Sequence, residues 1–279
     1  MDRIDPSMRS TTIIDEHTWR PESASSLRDE CAHLLAHASR EADPAPTVLY
    51  RGHRDSTWTL DSTFARWATG RFDTSTRESY FNLARIFLHH FGGAYGPSAE
   101  LRQAAADHDG VDEWFELMKR IQQHNEDQEF EGVNAIGTNL MDWSINLDVA
   151  LSFASLESST DGSVFLFDAQ AAGAVLIQQP YRQVLDRWTA ALDAEEMHGT
   201  PLLFCPRRQL ADARANRQAA RYLAQIDLRG PVDMIWAKRE QERPEGGRIW
   251  HQLLISPTVK AELSEELAEK GLNYESLMM

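Results

Sequence analysis

An arginine at the end of a short apolar run is the first residue of this sequence with a clear chemical use. The run Val48–Tyr50 has the β-branched and aromatic content of a strand, and Arg51 and Gly52 follow it. A guanidinium donates two parallel hydrogen bonds, so an arginine held at a strand end can bind a phosphate or a carboxylate. The run Thr57–Leu60 predicts a second strand, which would place Arg51 at the mouth of a hairpin. A structural arginine paired with a buried carboxylate is an equally open interpretation.

A second polar group precedes a predicted helix. Apolar residues between 147 and 154 recur at helical spacing, and Ser144 or Asn146 is the expected N-cap. Asp142 and Ser144 then lie just ahead of a helix N-terminus, where exposed N–H groups and the helix dipole favour an anion. The pattern therefore predicts that Asp142 and Ser144 belong to an anion-binding region.

The charged groups also have purely structural explanations. Asp142 can form an ion pair with Arg51 or Arg66, and Trp143 can be a core residue. An arginine-rich segment over residues 206–225 would ordinarily be a solvated helix face, although the same charges can line a phosphate-binding cleft. Its arginines are Arg207, Arg208, Arg214, Arg217 and Arg221.

Composition limits the classes of partner. The formal charge of the 279 residues is −15, which opposes binding to duplex nucleic acid and anionic membranes at long range. Cys31 and Cys205 form no disulfide framework and no metal-binding pair, and His33 and His37 lack a third ligand at a recognisable spacing. There is no signal-like N-terminus and no apolar run of about 18–20 residues. We therefore expect a soluble cytoplasmic protein with no metal and no membrane partner.

The periodicity of the chain predicts an α+β fold. Helices are predicted over residues 23–40, 74–91, 99–123 and 258–270, and buried strands over 163–167, 201–205 and 248–255. No linker or internal repeat is visible. The sequence thus predicts an N-terminal arm over residues 1–22 and one domain over residues 23–279, with a helical insertion at about 74–125.

Four segments resemble successive blocks of the FRG domain, a family named for a Phe/Tyr-Arg-Gly signature. The first is Tyr50-Arg51-Gly52, continued by Trp58, Leu60, Thr63 and Arg66. The second, Thr138-Asn139-Leu140-Met141-Asp142-Trp143-Ser144 with Ala150-Leu151-Ser152-Phe153-Ala154, is similar to the family's Thr-Arg-Leu-Leu-Asp-Trp-Thr and Ala-Leu-x-Phe-Ala. The third runs from Arg214 through Gln218 to Tyr222, and the fourth joins Ile255-Ser256-Pro257 to Gly271-Leu272-Asn273. The sequence departs from the family at Gly132–Ala135, where Gln-His-x-Gly is usual, and at Asn139, Ala220 and Tyr222.

The block order of the FRG domain in turn resembles that of ADP-ribosyltransferases. This resemblance implies mostly antiparallel sheets in a split, ADP-ribosyltransferase-like core with flanking helices, and NAD as a substrate. Arg51 would hold a phosphate or ribose of NAD, Ser144 would brace the first motif, and Gln218 would contact the nicotinamide ribose. The remaining ligand-binding residues would be Tyr50, Gly52, Arg66, Thr138, Asp142, Trp143 and Arg214.

Gln218 leaves two functions open. A glutamine brings no negative charge to a developing oxocarbenium ion, so catalysis would require another carboxylate, such as Glu240 or Glu242 after a predicted strand at Trp236. One hypothesis is an ADP-ribosyltransferase or NAD glycohydrolase, an effector of bacterial defence or toxicity with a protein or nucleic-acid target. The alternative is a non-catalytic FRG module that binds a nucleotide or another phosphorylated small molecule as a sensor.

Overall fold

The computed structural model describes residues 11–38, 48–71, 140–157, 159–173, 175–176, 202–204, 213–225, 230–242 and 247–278. The helices predicted over 74–91 and 99–123, and with them the predicted insertion, lie outside these ranges. The described strands are β1 (Thr11–Ile13), β2 (Thr18–Pro21), β3 (Val48–His53), β4 (Leu140–Ser144), β5 (Gly162–Asp168), β6 (Val175–Leu176), β7 (Leu202–Phe204), β8 (Ala220–Ala224) and β9 (Trp250–Ile255). The described helices are α1 (Ala24–Ala38), α2 (Thr63–Thr69), α3 (Leu147–Ala154), α4 (Ala213–Arg217), α5 (Val232–Glu242), α6 (Pro257–Glu269) and α7 (Tyr274–Met278).

The nine described strands form one mixed sheet in the order β1-β2-β9-β5-β3-β4-β8-β7-β6. All neighbours are antiparallel except β2–β9 and β6–β7, which confirms the predicted α+β class with mostly antiparallel pairing. In the centre, β3 pairs with β5 over six residues and β4 with β8 over five, but β3 and β4 share only the pair Tyr50–Ser144. The sheet is therefore almost divided between β3 and β4.

Helices cover both faces of the sheet. On one face α1, α3 and α6 pack around Leu27, Leu151 and Leu263, all fully buried. On the other face α5 packs Trp236 against Phe167, with ring centroids 4.2 Å apart. Burying a large apolar side chain contributes about 1.5–3 kcal/mol, so these two layers hold the central strands in place.

Close packing of α3 on β3 depends on a glycine. A Cβ atom on Gly52 would overlap the carbonyl oxygen of Ala150 and lie 2.8 Å from the backbone nitrogen of Ala154. Only a residue without a side chain allows the helix backbone this near the strand. Gly52 thus brings α3 directly against the end of β3, beside Arg51.

A buried lysine fixes the loop after α3. Lys260 of α6 is 1% exposed, and its Nζ donates to the carbonyl oxygens of Arg54 at 2.6 Å, Leu156 at 3.1 Å and Glu157 at 2.9 Å. Three acceptors satisfy the three donors of an ammonium group, which offsets the cost of burying the charge. Burial lowers the pKa of Lys260.

Three local predictions were wrong. Residues 57–60 form no strand, because both edges of β3 are already paired, with β5 and β4. Arg51 therefore lies within β3, which continues to His53, and not at the mouth of a hairpin. Trp236 lies in α5 rather than in a strand. The arginine-rich segment is not one helix: α4 ends at Arg217 and Arg221 lies in β8.

The two strands nearest the start of the described chain join the sheet. β1 pairs with β2, and Thr18 and Trp19 of β2 pair with β9, so residues 11–21 of the predicted N-terminal arm extend one edge. In the described ranges, no helix combines the length and the apolar character needed to cross a membrane.

Candidate functional site

A cavity of about 170 Å³ lies where β3 and β4 diverge. Side chains and backbone from β3, β4, α3 and the α4–β8 turn surround it. Its lining residues are Tyr50, Arg51, Gly52, Asp142, Trp143, Ser144, Val149, Ala150, Phe153, Arg214 and Gln218. The structure therefore brings the three residues that were predicted to act in catalysis to one hollow, although they are up to 167 positions apart in the sequence.

Arg51 takes the place of the missing backbone contacts between β3 and β4. Its Nη1 group donates to the carbonyl oxygen of Asp142, which a continuing β3–β4 pair would otherwise satisfy. Its Nε group donates to Nε2 of His53 at 3.0 Å. Within the described part of the chain, no hydrogen bond engages Nη2, so this group is the one that we expect a ligand to contact.

His53 orients the guanidinium as a neutral acceptor. It is 5% exposed, and burial, followed by the nearby charge of Arg51, lowers the pKa of His53 to about 3. The ring therefore stays uncharged at neutral pH and accepts the hydrogen bond through Nε2, which leaves the proton on Nδ1. Arg51 and His53 alternate onto one face of β3, a spacing that could have identified His53 from the sequence.

The Arg51 guanidinium carries its charge in a costly environment. Burial lowers the pKa of Arg51, the charge of Arg66 lowers it further, and the carboxylate of Asp142 opposes both effects. Asp142 supplies the single carboxylate among the described lining residues. A negatively charged ligand beside Nη2 would relieve the unfavourable interaction between the two guanidinium groups.

Ser144 is used as a structural bridge. Its hydroxyl donates to the carbonyl oxygen of Gln218 at 2.7 Å and accepts the N–H of Asn146 at 2.9 Å. Of the two expected N-caps, Asn146 is the one that α3 uses, and its side chain accepts from the N–H of Asp148. These contacts are typical of a residue that braces the motif, and they join β4 to the turn that carries Gln218.

Gln218 lies in a turn with an unusual backbone. The next residue, Ala219, has φ = +45°, a conformation that costs an L-residue roughly 1–2 kcal/mol. The N–H of Ile145 donates to the carbonyl oxygen of Ala219 at 3.2 Å, which together with the Ser144 bridge holds the turn. Nε2 of Gln218 donates to the carbonyl oxygen of Leu277 at 3.2 Å, so the carboxamide is half-buried between the cavity and α7.

The other predicted residues have different positions. Tyr50, Gly52, Trp143 and Arg214 line the cavity. Arg66 does not line the cavity: it is exposed on α2 and donates to the carbonyl oxygen of Asp61 at 2.6 Å. Its charge nevertheless lowers the pKa of Arg51. Thr138 lies outside the described residues.

Glu240 is not the additional carboxylate that was expected at the site. It is buried in α5, where its carboxylate lies 3.1 Å from Nε2 of His17 and accepts the N–H of Ile249. The hydrogen bond from His17 lowers the pKa of Glu240 even though burial opposes this. Neither Glu240 nor Glu242 lines the cavity.

The walls of the cavity are apolar on the side of α3. Val149, Ala150 and Phe153 come from this helix, and Tyr50 packs below them. Burial raises the pKa of Tyr50 to about 12, so its phenol is neutral. The hollow therefore offers a cation and hydrogen-bonding groups on one side and an apolar wall on the other, which suits a ligand with an anionic group and a planar ring. Among the described residues, no three His, Cys, Asp or Glu side chains are grouped as a metal site would require.

The protein is thus an α+β protein with a cavity between β3 and β4 whose lining includes the positively charged Arg51, which favours an anionic ligand. The family model of the FRG domain matches residues 46–162, which confirms the resemblance that the motifs around Arg51 and Asp142 indicated. The match includes the strand of Arg51 and the whole of β4 and α3, whereas Arg214 and Gln218 lie beyond it. No curated protein and no solved structure matches the chain.

Proposed function

We propose that the chain binds NAD at this cavity and breaks the bond between nicotinamide and ribose, as an ADP-ribosyltransferase or NAD glycohydrolase of the FRG type. The observation that carries the proposal is the Arg51 guanidinium, which His53 and the Asp142 carbonyl hold at the cavity, and to whose Nη2 group no described residue is hydrogen-bonded. A fixed guanidinium is a strong partner for a phosphate, because its orientation is already determined before the ligand binds.

The size of the cavity agrees with partial enclosure of NAD. Its volume of about 170 Å³ is below the ~300–1,000 Å³ of pockets that enclose a whole drug-sized ligand. One ring or one ribose phosphate can enter, and the rest of the dinucleotide would lie outside. Phe153 supplies an apolar surface for a ring, and Arg51 lies on the opposite side for a phosphate.

The reaction breaks the C1′–N1 bond, and its electron pair stays with nicotinamide. Water, or a nucleophile of a target molecule, then forms the new bond to C1′ and loses a proton. The ribose passes through an oxocarbenium-like state, whose positive charge must be stabilised electrostatically. Asp142 is the carboxylate in position for this role among the described lining residues, and Gln218 can orient a ribose hydroxyl by a neutral hydrogen bond.

Release of nicotinamide from NAD tests the proposal directly. The purified chain is incubated with NAD, with and without a cell extract that supplies acceptor molecules, and nicotinamide is measured by chromatography. We expect release that Arg51→Ala reduces at least tenfold, whereas Arg54→Ala retains it, because Arg54 is exposed and pairs with Glu157 away from the cavity. Equal release, or none, from the parent chain and Arg51→Ala would exclude the enzymatic proposal.

A second candidate is a non-catalytic module that binds a nucleotide or another phosphorylated ligand. The hydrogen bond from Gln218 to Leu277 favours it, since a neutral amide tied to the protein brings no charge to a reaction centre. Thermal shift with ADP and ADP-ribose tests this function: ligand at about 100 times Kd adds ~2.7 kcal/mol of stability. Stabilisation without turnover would support a sensor, and no shift with either compound would argue against it.

A further inference from the structure

Two residues of the cavity also contact α7. Besides its hydrogen bond to the Leu277 carbonyl, Nε2 of Gln218 lies 3.7 Å from the sulfur of Met278. The ring of Tyr274 meets that of Phe153 edge-on, with centroids 6.1 Å apart and an interplanar angle of 89°. This helix therefore forms a second layer behind the hollow.

The position of α7 is itself well fixed. Gly271, with φ = +70°, turns the chain after α6, and the hydroxyl of Ser152 donates to the carbonyl oxygen of Leu272. Ser276 donates through its hydroxyl to the carbonyl oxygen of Gly271 at 2.8 Å, and Leu277 is 2% exposed. A short helix held by these contacts has enough support to act as a fixed hydrogen-bond partner.

We propose that α7 positions the carboxamide of Gln218, so that Nε2 faces Leu277 and Oε1 is the atom offered to a ligand in the cavity. A backbone carbonyl only accepts hydrogen bonds, so the donor end of the amide must face Leu277. Among the described residues, no hydrogen bond engages Oε1. The cavity then presents an acceptor at this position, which recognises a hydroxyl donor such as a ribose.

The same contact explains why a glutamine, rather than a glutamate, suits this position. An ionised carboxylate cannot donate to the Leu277 carbonyl, and two oxygens would face each other across the gap between the α4–β8 turn and α7. A protonated glutamate has one O–H and would restore the bond. In Gln218→Glu, the lost hydrogen bond to Leu277 and the carboxylate of Asp142 should raise the pKa of the new carboxyl, whereas the guanidinium groups of Arg51 and Arg214, which line the same cavity, oppose the rise. We expect the lost bond to prevail, because the carboxyl faces α7, so that the pKa in the folded state lies above that in the unfolded chain.

Thermal unfolding of Gln218→Glu as a function of pH is the first test. A carboxyl whose pKa is raised in the folded state stabilises the fold at low pH, and this stability is lost as the pH rises. The melting temperature of Gln218→Glu should thus fall below that of the parent chain at pH 8 and approach it towards pH 5.5. Gln241→Glu on the exposed face of α5 is the matched control and should show no such trend. Parallel pH profiles of the two variants would overturn the inference.

Ligand binding is the second test, and here the role of Oε1 rests on the proposed function. The probes are ADP-ribose and inorganic pyrophosphate. Gln218→Met should weaken ADP-ribose binding about fivefold, the loss of affinity expected when one hydrogen bond is removed. Pyrophosphate binding should stay within about twofold, because it has no hydroxyl donor from a ribose. An equal loss for both probes would refute the acceptor role. If the parent chain binds neither probe, the proposed function fails, and the pH profile alone decides whether α7 positions Gln218.

Discussion

The contact between Gly52 and α3 gives the sharpest test of how this site is built. A methyl group at residue 52 would overlap the Ala150 carbonyl oxygen and lie 2.9 Å from its carbonyl carbon. Carbon atoms pack at about 3.5–4.0 Å, so α3 would have to retreat by roughly 1 Å. The obstructing atoms are all backbone, and no rotation of a side chain can remove the overlap.

We therefore expect Gly52→Ala to lower the free energy of unfolding by about 3 kcal/mol, the upper end for overpacked cores. For a chain of this size that corresponds to a fall in Tm of roughly 6–12 °C. Gly230→Ala is the matched control, since nothing lies within 4 Å of its added methyl group. Scanning calorimetry of the parent chain and both variants makes the measurement. If Gly52→Ala melts within 2 °C of Gly230→Ala, contrary to the shift expected from overpacking, α3 does not lie against β3 as described.

Three further outcomes follow from the contacts of the site and its surroundings. Ala219→Gly relieves roughly 1–2 kcal/mol of strain in the left-handed backbone conformation, but the greater entropy of the unfolded chain costs ~0.5–1 kcal/mol. Urea titration should therefore show a free energy of unfolding that is higher by about 0.5–1 kcal/mol. A lower free energy of unfolding would mean that the turn is not strained. His53→Leu removes the acceptor that orients Arg51 and should weaken ADP-ribose binding about fivefold. His53→Gln keeps an acceptor and should retain most of the affinity for ADP-ribose. Equal losses of affinity in the two variants would exclude the orienting role of His53. Burial opposes the rise in the pKa of His17, but the hydrogen bond to Glu240 prevails, so this pair stabilises the fold below the unfolded histidine pKa of about 6.5 and the benefit is lost as the pH rises. His17→Phe should therefore cost more melting temperature at pH 5.5 than at pH 8, and a pH-independent cost would contradict the ion pair.

Two of the elements that border the cavity, β3 and α3, could be predicted from local patterns. β-branched and aromatic residues predicted β3, and helical spacing with Ser144 or Asn146 as the N-cap predicted α3. Apolar runs also predicted the strands β5, β7 and β9, and helical periodicity predicted the helix α6. These features depend on residues within a few positions of one another, which is why the sequence reveals them.

Pairing between distant segments could not be read in the same way. The run 57–60 has the composition of a strand, but β5 and β4 occupy the edges of β3 that it would need. The arginine-rich segment looked like one charged helix, yet β8 forms there because β4 offers it a partner. Local sequence patterns show which secondary structure a segment favours. In these two segments the structure depends on pairing with strands more than 70 positions away in the sequence.

The individual side chains of the site show the same limit. Arg51 was identified by its type and place, but its partner His53 was missed, although the two residues lie two positions apart on one face of β3. Glu240 was expected at the cavity by analogy and instead pairs with His17. The contact of Gln218 with Leu277 joins residues 59 positions apart and depends on the turn at Gly271.

The single Tyr50–Ser144 pair has a mechanical consequence. The β5–β3 pair and the β4–β8 pair are joined here by this one ladder pair and by the hydrogen bond from Arg51 to Asp142, so we expect them to move relative to each other more easily than strands paired along their length. A ligand that contacts both Arg51 on β3 and Gln218 next to β8 would add a connection between the two parts of the sheet and restrict their relative motion. Hydrogen exchange of the backbone amides in β3, β5, β4 and β8 should then slow together when a ligand occupies the cavity, so binding at a small site would stabilise the whole centre of the sheet.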